Sequence, residues 1–465
     1  MRGVSRILWS LRATTTLDSE KGTMVYPFCS SLTLKRICLA TLFSFIGLLC
    51  ALNVALMTIA HLRFEGGNRD LGTSIISSLR WQSHDSKINK LKEDEHFSFA
   101  ACLIVKDDNQ ILPEWLAYHY TVMPLRHLIV AIDPLSITSP KPIFEKFREL
   151  GMDITVWDDR DFNINARVWY HKAATPGDPY THKHEAYMFR QNEFYWECLM
   201  ELSERKDRGE KLTWTMIIDT DEYVVFNNYL KSETEEANDP RAMMPKVGNR
   251  TIAEYILQQN QSNDSSIWNT FPCIVFPRML IGSMESDSTQ VSSQVPHGFD
   301  PLSFNTMRFR YYELPQHITA PGKSFVDVSR YHGTRVPNPH AVLALSCYAP
   351  NKILTENPAF VDIFRSTLRI HHYIGHLDMF LRGNSSRGEE TYNERNRLVS
   401  KEETDDSIRG WLQAFVNDVG ERKAFEVTQE LRLWAIENFA QVLAQKELGN
   451  FTYPFYKPSK AKQTT

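Results

Sequence analysis

Between residues 97 and 219 two kinds of apolar pattern alternate, and this alternation restricts the fold more than any other feature of the chain. "FSFAACLIV" (97–105) is a nearly continuous apolar run, as expected of a strand covered on both faces. "PEWLAYHYTVM" (113–123) begins with a proline suited to a first helical turn. "HLIVAID" (127–133) predicts a second strand and "KPIFEKFREL" (141–150) a second helix, stopped at Gly151. "DITVW" (153–157) predicts a third strand, and a long helical stretch over 183–205 leads to the next strand, "WTMIID". Strands alternating with helices imply an α/β fold, with a mainly parallel sheet and helices on its faces. The 465 residues, 42% of them hydrophobic, suffice for one large domain or two closely joined ones. A formal net charge of −4 gives no sign of a nucleic-acid binder. No internal repeat is visible, which excludes solenoids and propellers.

Ahead of this pattern, residues 37–60 ("ICLATLFSFIGLLCALNVALMTIA") carry no charge. At about 1.5 Å per residue the run is long enough to cross a hydrocarbon core of roughly 30 Å. A cleaved signal peptide is the alternative, but its apolar region is usually only about 7–15 residues and starts near the N-terminus. Arg2, Arg6, Arg12, Lys21, Lys35 and Arg36 precede the span and favour a cytosolic N-terminus. The expected organisation is a tail (1–36), a single-pass anchor (37–60), a polar stem (61–95), a folded domain (96–400) and a helical extension (401–465) packed on it. Asn-x-Ser/Thr acceptors at Asn249, Asn260, Asn263, Asn384 and Asn450 agree with a lumenal domain. Beyond the anchor lie Cys102, Cys198, Cys273 and Cys347. They permit two disulfides without requiring them, and buried free thiols are the simpler expectation for Cys102 and Cys273.

"IIDTDEYVV" (217–225) places Asp219 and Asp221 at the end of a buried strand. In open parallel sheets, ligands bind beyond the carboxyl ends of strands. Residues two apart can point the same way, so both carboxylates can reach one cation. A hard cation such as Mn²⁺ or Mg²⁺ prefers such oxygen ligands and can bridge the phosphates of a nucleotide diphosphate. Glu222 is expected to brace these ligands rather than join them.

Several segments, in order, resemble the family 92 glycosyltransferases and the wider family-2-like group. "ACLIVKDDNQILPEWLAYHYTVMPLRHLIVAID" (101–133) is similar to the opening motif, with Lys106-Asp107-Asp108 where Lys-Asn-Glu is usual. Gln191 and Cys198-Leu199 follow, then "IIDTDEYVVF", with Tyr223 in place of Phe, and "IGS" (281–283), with Ile281 in place of an aromatic residue. "GKSFVDVSRYHGTRVPNPH" (322–340) and "IHHYIGHLDMFLRG" (370–383) complete the likeness, which spans about residues 98–390. It implies a GT-A (Rossmann-like) nucleotide-sugar-binding sheet with flanking helices, a UDP-sugar donor (UDP-galactose is one such donor), a metal at the Asp-x-Asp, a glycan acceptor and inversion at the anomeric carbon. A type II Golgi membrane protein with its hexosyltransferase domain in the lumen is the resulting expectation. A non-catalytic anchored protein that binds glycans or assembles with other glycosyltransferases is the rival.

Candidate residues follow from position. Asp219 and Asp221 are the expected metal ligands, with His340 preferred as the third and His372 in reserve, since His371 and His372 face opposite sides of a strand. Lys106 and Lys323 can offset phosphate charge. Asp133 and Asp158 close the second and third strands, where an acid can hold the nucleoside. Inverting transfer needs a general base, for which Glu285 is the first candidate and Asp287 the second. His376 is a candidate polar contact to the acceptor.

Overall fold

The computed structural model describes residues 98–162, 180–210, 212–228, 247–262, 266–287, 291–314, 321–331, 339–340, 347–349, 361–383 and 388–448. The expected tail, anchor and stem, and Asn263, Asn384 and Asn450, lie outside these residues. No described helix is long and apolar enough to cross a membrane.

The chain folds as a mixed α/β structure with two sheets. The first is built as the alternation predicts. β1 (Ser98–Val105), β2 (Leu125–Ile132), β3 (Asp153–Trp157) and β4 (Leu212–Ile217) run parallel in the order β3-β2-β1-β4. Helices α1 (Leu112–Val122), α2 (Lys141–Glu149) and α3 (Tyr180–Asp207) connect them. The pleat divides β1 cleanly between two cores. Phe99, Ala101, Leu103 and Val105 pack with residues of α1 and α2, while Ala100 and Cys102 pack with Phe194, Tyr195, Cys198 and Leu199 of α3. This is the Rossmann-like arrangement of a sheet covered on both faces.

Beyond β4 the sheet ceases to be parallel. β9 (Lys323–Asp327) lies antiparallel to β4 and to β6 (Cys273–Phe276), and β10 (Cys347–Tyr348) pairs parallel with β6 at the edge. The second sheet, in the order β12-β8-β7-β11-β5, was not legible as such. Its strands β5 (Glu222–Phe226), β7 (Arg278–Ile281), β8 (Tyr311–Glu313), β11 (Leu368–Tyr373) and β12 (Val399–Thr404) are short and come from distant parts of the chain.

Two disulfides settle what the cysteine count left open. Cys102–Cys198 ties β1 to α3, and Cys273–Cys347 ties β6 to β10, so Cys102 and Cys273 are bonded rather than free. After β12, α4 (Trp411–Val419) packs on α1: the Trp411 ring meets that of Tyr118 at 5.8 Å, and its indole N–H donates to Thr306 at 3.0 Å. The helical run 421–447 that follows contains one π turn at Glu426–Glu430 and buries Ala424, Val427, Thr428, Leu431 and Ala435.

Candidate cation and phosphate site

The acidic turn 218–221 joins β4 to β5 and so joins the two sheets. Its position is enforced from below by α1. Trp115 donates from its indole nitrogen to the Glu222 carbonyl at 3.0 Å, and the Tyr118 hydroxyl donates to the Val224 carbonyl. These two side chains are fully buried, and they satisfy carbonyls of a strand that α1 would otherwise cover. From the side, β11 pairs antiparallel with β5, which puts His372 opposite Glu222.

Oxygens of Asp219, Asp221 and Glu222 lie within 4.8 Å of one another. Three like charges so close need opposite charge, and two basic residues supply it. Lys323, at the start of β9 and 1% exposed, stands 2.6 Å from Asp219 and 3.1 Å from Glu222. Arg278, at the start of β7, reaches Glu222 at 3.1 Å. Glu222 also accepts the Asp219 backbone N–H at 3.0 Å, so this fully buried carboxylate is committed to bracing the turn, as expected. Burial pushes the Asp219 carboxyl up, but Lys323 outweighs it and holds the carboxyl at about 2.

Asp221 is differently placed. His372 Nε2 lies 3.2 Å from its Oδ2, and its side chain is 37% exposed. Burial raises this carboxyl, and His372 more than offsets the effect. Asp108, in the turn after β1, bonds Thr220 and faces Asp221; burial and then that charge push it up to about 7. Asp107 beside it takes a left-handed backbone (φ 57) and accepts the Ile137 and Thr138 backbone N–H groups at 2.8 and 3.0 Å. It thereby pins the loop after β2 next to the site.

The two histidine candidates are placed differently. His372 contacts Asp221 directly, whereas His340 Nδ1 is bonded to the Gly322 carbonyl at 2.6 Å. His340 still lies near enough to Asp219 and Lys323 to feel their charges, and burial, then Lys323, hold it at about 4. Gly322 is required here: a Cβ would meet the Phe276 carbonyl oxygen at 2.4 Å. His371, one residue before His372, points the other way, into the interior, as strand alternation requires.

Other candidates fall outside this cluster. Asp133 is fully buried, accepts the Leu135 N–H at 2.8 Å, and has the Arg190 guanidinium 3.9 Å away. Asp158 is half-buried, and its N–H donates to Asp161 at 2.6 Å. Lys106 is half-buried, with its N–H on the Asp108 carboxylate at 3.1 Å. Glu285 is held by Arg308 at 2.7 Å, and Asp287 is exposed beyond it. Sequence reasoning missed Arg278 and Asp108 as parts of the site. A signal for Arg278 exists: it is the one charge in the apolar run "CIVFPRMLIG", and a charge in a buried strand needs a partner.

No family model matches this chain, and no curated protein does. Among solved structures it is similar to residues 1–349 of S. aureus TarS, with 10% identity and a TM-score of 0.22, over 76% of this chain and 83% of that one. A likeness of that size is too slight to reason from.

Proposed function

We propose that this protein is a metal-dependent glycosyltransferase that moves a hexose from a UDP-sugar, UDP-galactose among the candidates, to a glycan hydroxyl with inversion. The observation that carries the reading is the half-open cluster of Asp219 and Asp221 at the end of the parallel sheet, backed by buried Lys323 and half-buried Arg278. A fold-only domain has no need to gather carboxylates at a sheet end and leave them partly in water. Brought together there, they suit a cation that carries phosphate.

The donor set fits Mn²⁺ or Mg²⁺. With Asp219 and Glu222 engaged by Lys323 and Arg278, Asp221 and His372 are the ligands closest to free, and Asp219 is the next oxygen within reach. Carboxylate with imidazole favours Mn²⁺ over the harder Mg²⁺. Such a cation neutralises charge on the departing diphosphate. The chain's own residues do the rest. Lys323 holds Asp219 in its ionised form, Arg278 and Glu222 fix the turn, and Asp107 pins the loop after β2 beside Lys106, which would meet the nucleotide.

The resemblance to family 92 belongs to this proposal, as do the tail, the 37–60 anchor, the stem, and a Golgi lumenal location for residues 96–465. Two disulfides support an oxidising compartment. The test is hydrolysis of UDP-galactose, UDP-glucose and UDP-N-acetylglucosamine by the purified full chain, with Mn²⁺ and with EDTA. Metal-dependent turnover of one donor supports the reading and names the sugar. Absence of any metal-dependent binding or turnover turns the assignment to an anchored, non-catalytic glycan-binding or assembly protein.

A further inference from the structure

β7 and β11 run parallel and leave the second sheet side by side, next to the acidic turn. The Tyr373 N–H donates to the Asp221 carbonyl at 2.9 Å, and the Ile374 N–H to the Ile281 carbonyl at 3.0 Å. The chain then turns at Gly375 (φ +68) and presents His376; from the neighbouring strand it presents Glu285. His376 Nε2 lies 3.5 Å from Glu285 Oε1. Arg308 grips the same oxygen at 2.7 Å, and the Phe309 ring stands edge-on to the imidazole at 5.2 Å. Nε2 is shut off from solvent and has no hydrogen-bond partner among the described residues, while the His376 side chain as a whole is 32% exposed.

A carboxylate set against one nitrogen of a partly open imidazole is the arrangement that orients a histidine to take a proton on its other nitrogen. Glu285 is the poorer base: its hydrogen bond to Arg308 holds its carboxyl below the ordinary range. Burial and then Arg308 lower the His376 imidazole below its ordinary range, opposed by Glu285 and Asp378, with Arg432 adding to the lowering.

We propose that His376, rather than Glu285, takes the proton from the attacking hydroxyl, with Glu285 and Arg308 as positioning residues; this rests on the glycosyl transfer proposed above. As the acceptor oxygen bonds to the anomeric carbon, its O–H bond breaks and the proton passes to Nδ1, leaving an imidazolium whose Nε2–H faces Glu285. The bond from the anomeric carbon to the diphosphate oxygen breaks, and its electron pair leaves with UDP. Water can replace the glycan hydroxyl and release the free sugar, so donor hydrolysis reports on the step without a known acceptor.

The experiment compares the wild-type full chain with His376→Gln and Glu285→Gln. It measures hydrolysis of the preferred UDP-sugar against pH, and binding of UDP with Mn²⁺ by calorimetry. Wild-type turnover should fall on the acid side with a pKa below 6.5, because only the neutral imidazole accepts a proton. His376→Gln should lose that limb and about 10²-fold or more in rate, with UDP binding unchanged. In Glu285→Gln the limb should move to lower pH, since a neighbour that favours the imidazolium is gone. Wild-type rates in His376→Gln, or loss of UDP binding by that variant when folded, overturn the assignment. Should His376→Gln not fold, an unmoved acid limb in Glu285→Gln overturns it equally. A wild-type chain that binds no UDP with Mn²⁺ overturns the glycosyl-transfer reading, and this assignment with it.

Discussion

Two clusters of charge lie on opposite faces of the same strand, β11, and they are built to different ends. On one face, Arg369 is fully buried, pairs with Asp405, and donates to Asn227 at 3.2 Å and to His371 Nε2 at 3.1 Å. Asp405 in turn accepts the Ser407 N–H at 2.8 Å. On the other face, His372 meets Asp221 beside Asp219, Lys323, Glu222 and Arg278. The first cluster is sealed: the Asp405 side chain is 4% exposed and the Arg369 side chain 0%. In the second Lys323 is buried and Arg278 half-buried, yet the side chains of Asp219 and Asp221 are 44% and 37% exposed. Pairing of Arg369 and Asp405 in the interior, where His371 Nδ1 is left without a partner among the described residues, fastens β11 to the C-terminal segment. Satisfaction on one side only leaves carboxylate oxygens turned to water, where a ligand can take them.

The largest effect should come from breaking the sealed cluster. Arg369→Met leaves Asp405 buried without its main partner, and stability should drop by about 3–5 kcal/mol in urea unfolding. The change should reach UDP binding only through loss of folded protein. Lys323→Met should cost less, about 1–3 kcal/mol, because Arg278 still meets Glu222 and water still reaches Asp219. It should, however, weaken metal-dependent UDP binding in the folded fraction, an effect Arg369→Met should lack. If the two variants lose stability equally and neither changes binding, the contrast between the clusters is wrong.

Smaller effects should appear on acidification. The folded Asp219 carboxyl lies at about 2, below its ordinary 3.8, so its contribution is present above about 3.8 and is lost as pH falls toward 2. Acid titration should therefore show the stability advantage of wild type over Asp219→Asn shrinking across that window. His340 behaves with its own sign. Its folded value of about 4 lies below the ordinary 6.5, so the unfolded chain binds the proton first, and stability falls as pH drops from 6.5 to about 4. His340→Gln should flatten that slope.

What could be read from the chain beforehand followed from how each feature is encoded. β1, β2 and β3 announce themselves because strands buried on both faces are continuous apolar runs, and α3 was expected at 183–205 and spans Tyr180–Asp207. Asp219 and Asp221 were legible because acids directly after such a run are unusual. The basic partners of the two clusters were harder to see. Arg278, Lys323 and Arg369 each begin or sit inside short strands, and their partners Glu222, Asp219 and Asp405 are 36 to 104 residues away. The antiparallel pairing of β9 on β4 brings Lys323 to Asp219, the pairing of the second sheet brings the other two to their partners, and no local period in sequence encodes either pairing. The contact of His372 with Asp221 has the same origin, since the register of β11 on β5 sets it.

The most direct measurement is the affinity of the full chain for UDP, by calorimetry, with Mn²⁺ and with EDTA, for wild type and for Asp221→Ala. The account predicts binding that requires Mn²⁺ and weakens by about 10²-fold or more in the variant, since such a cation supplies several kcal/mol of charge stabilisation. Equal affinity in EDTA, or in a folded Asp221→Ala chain, would contradict it.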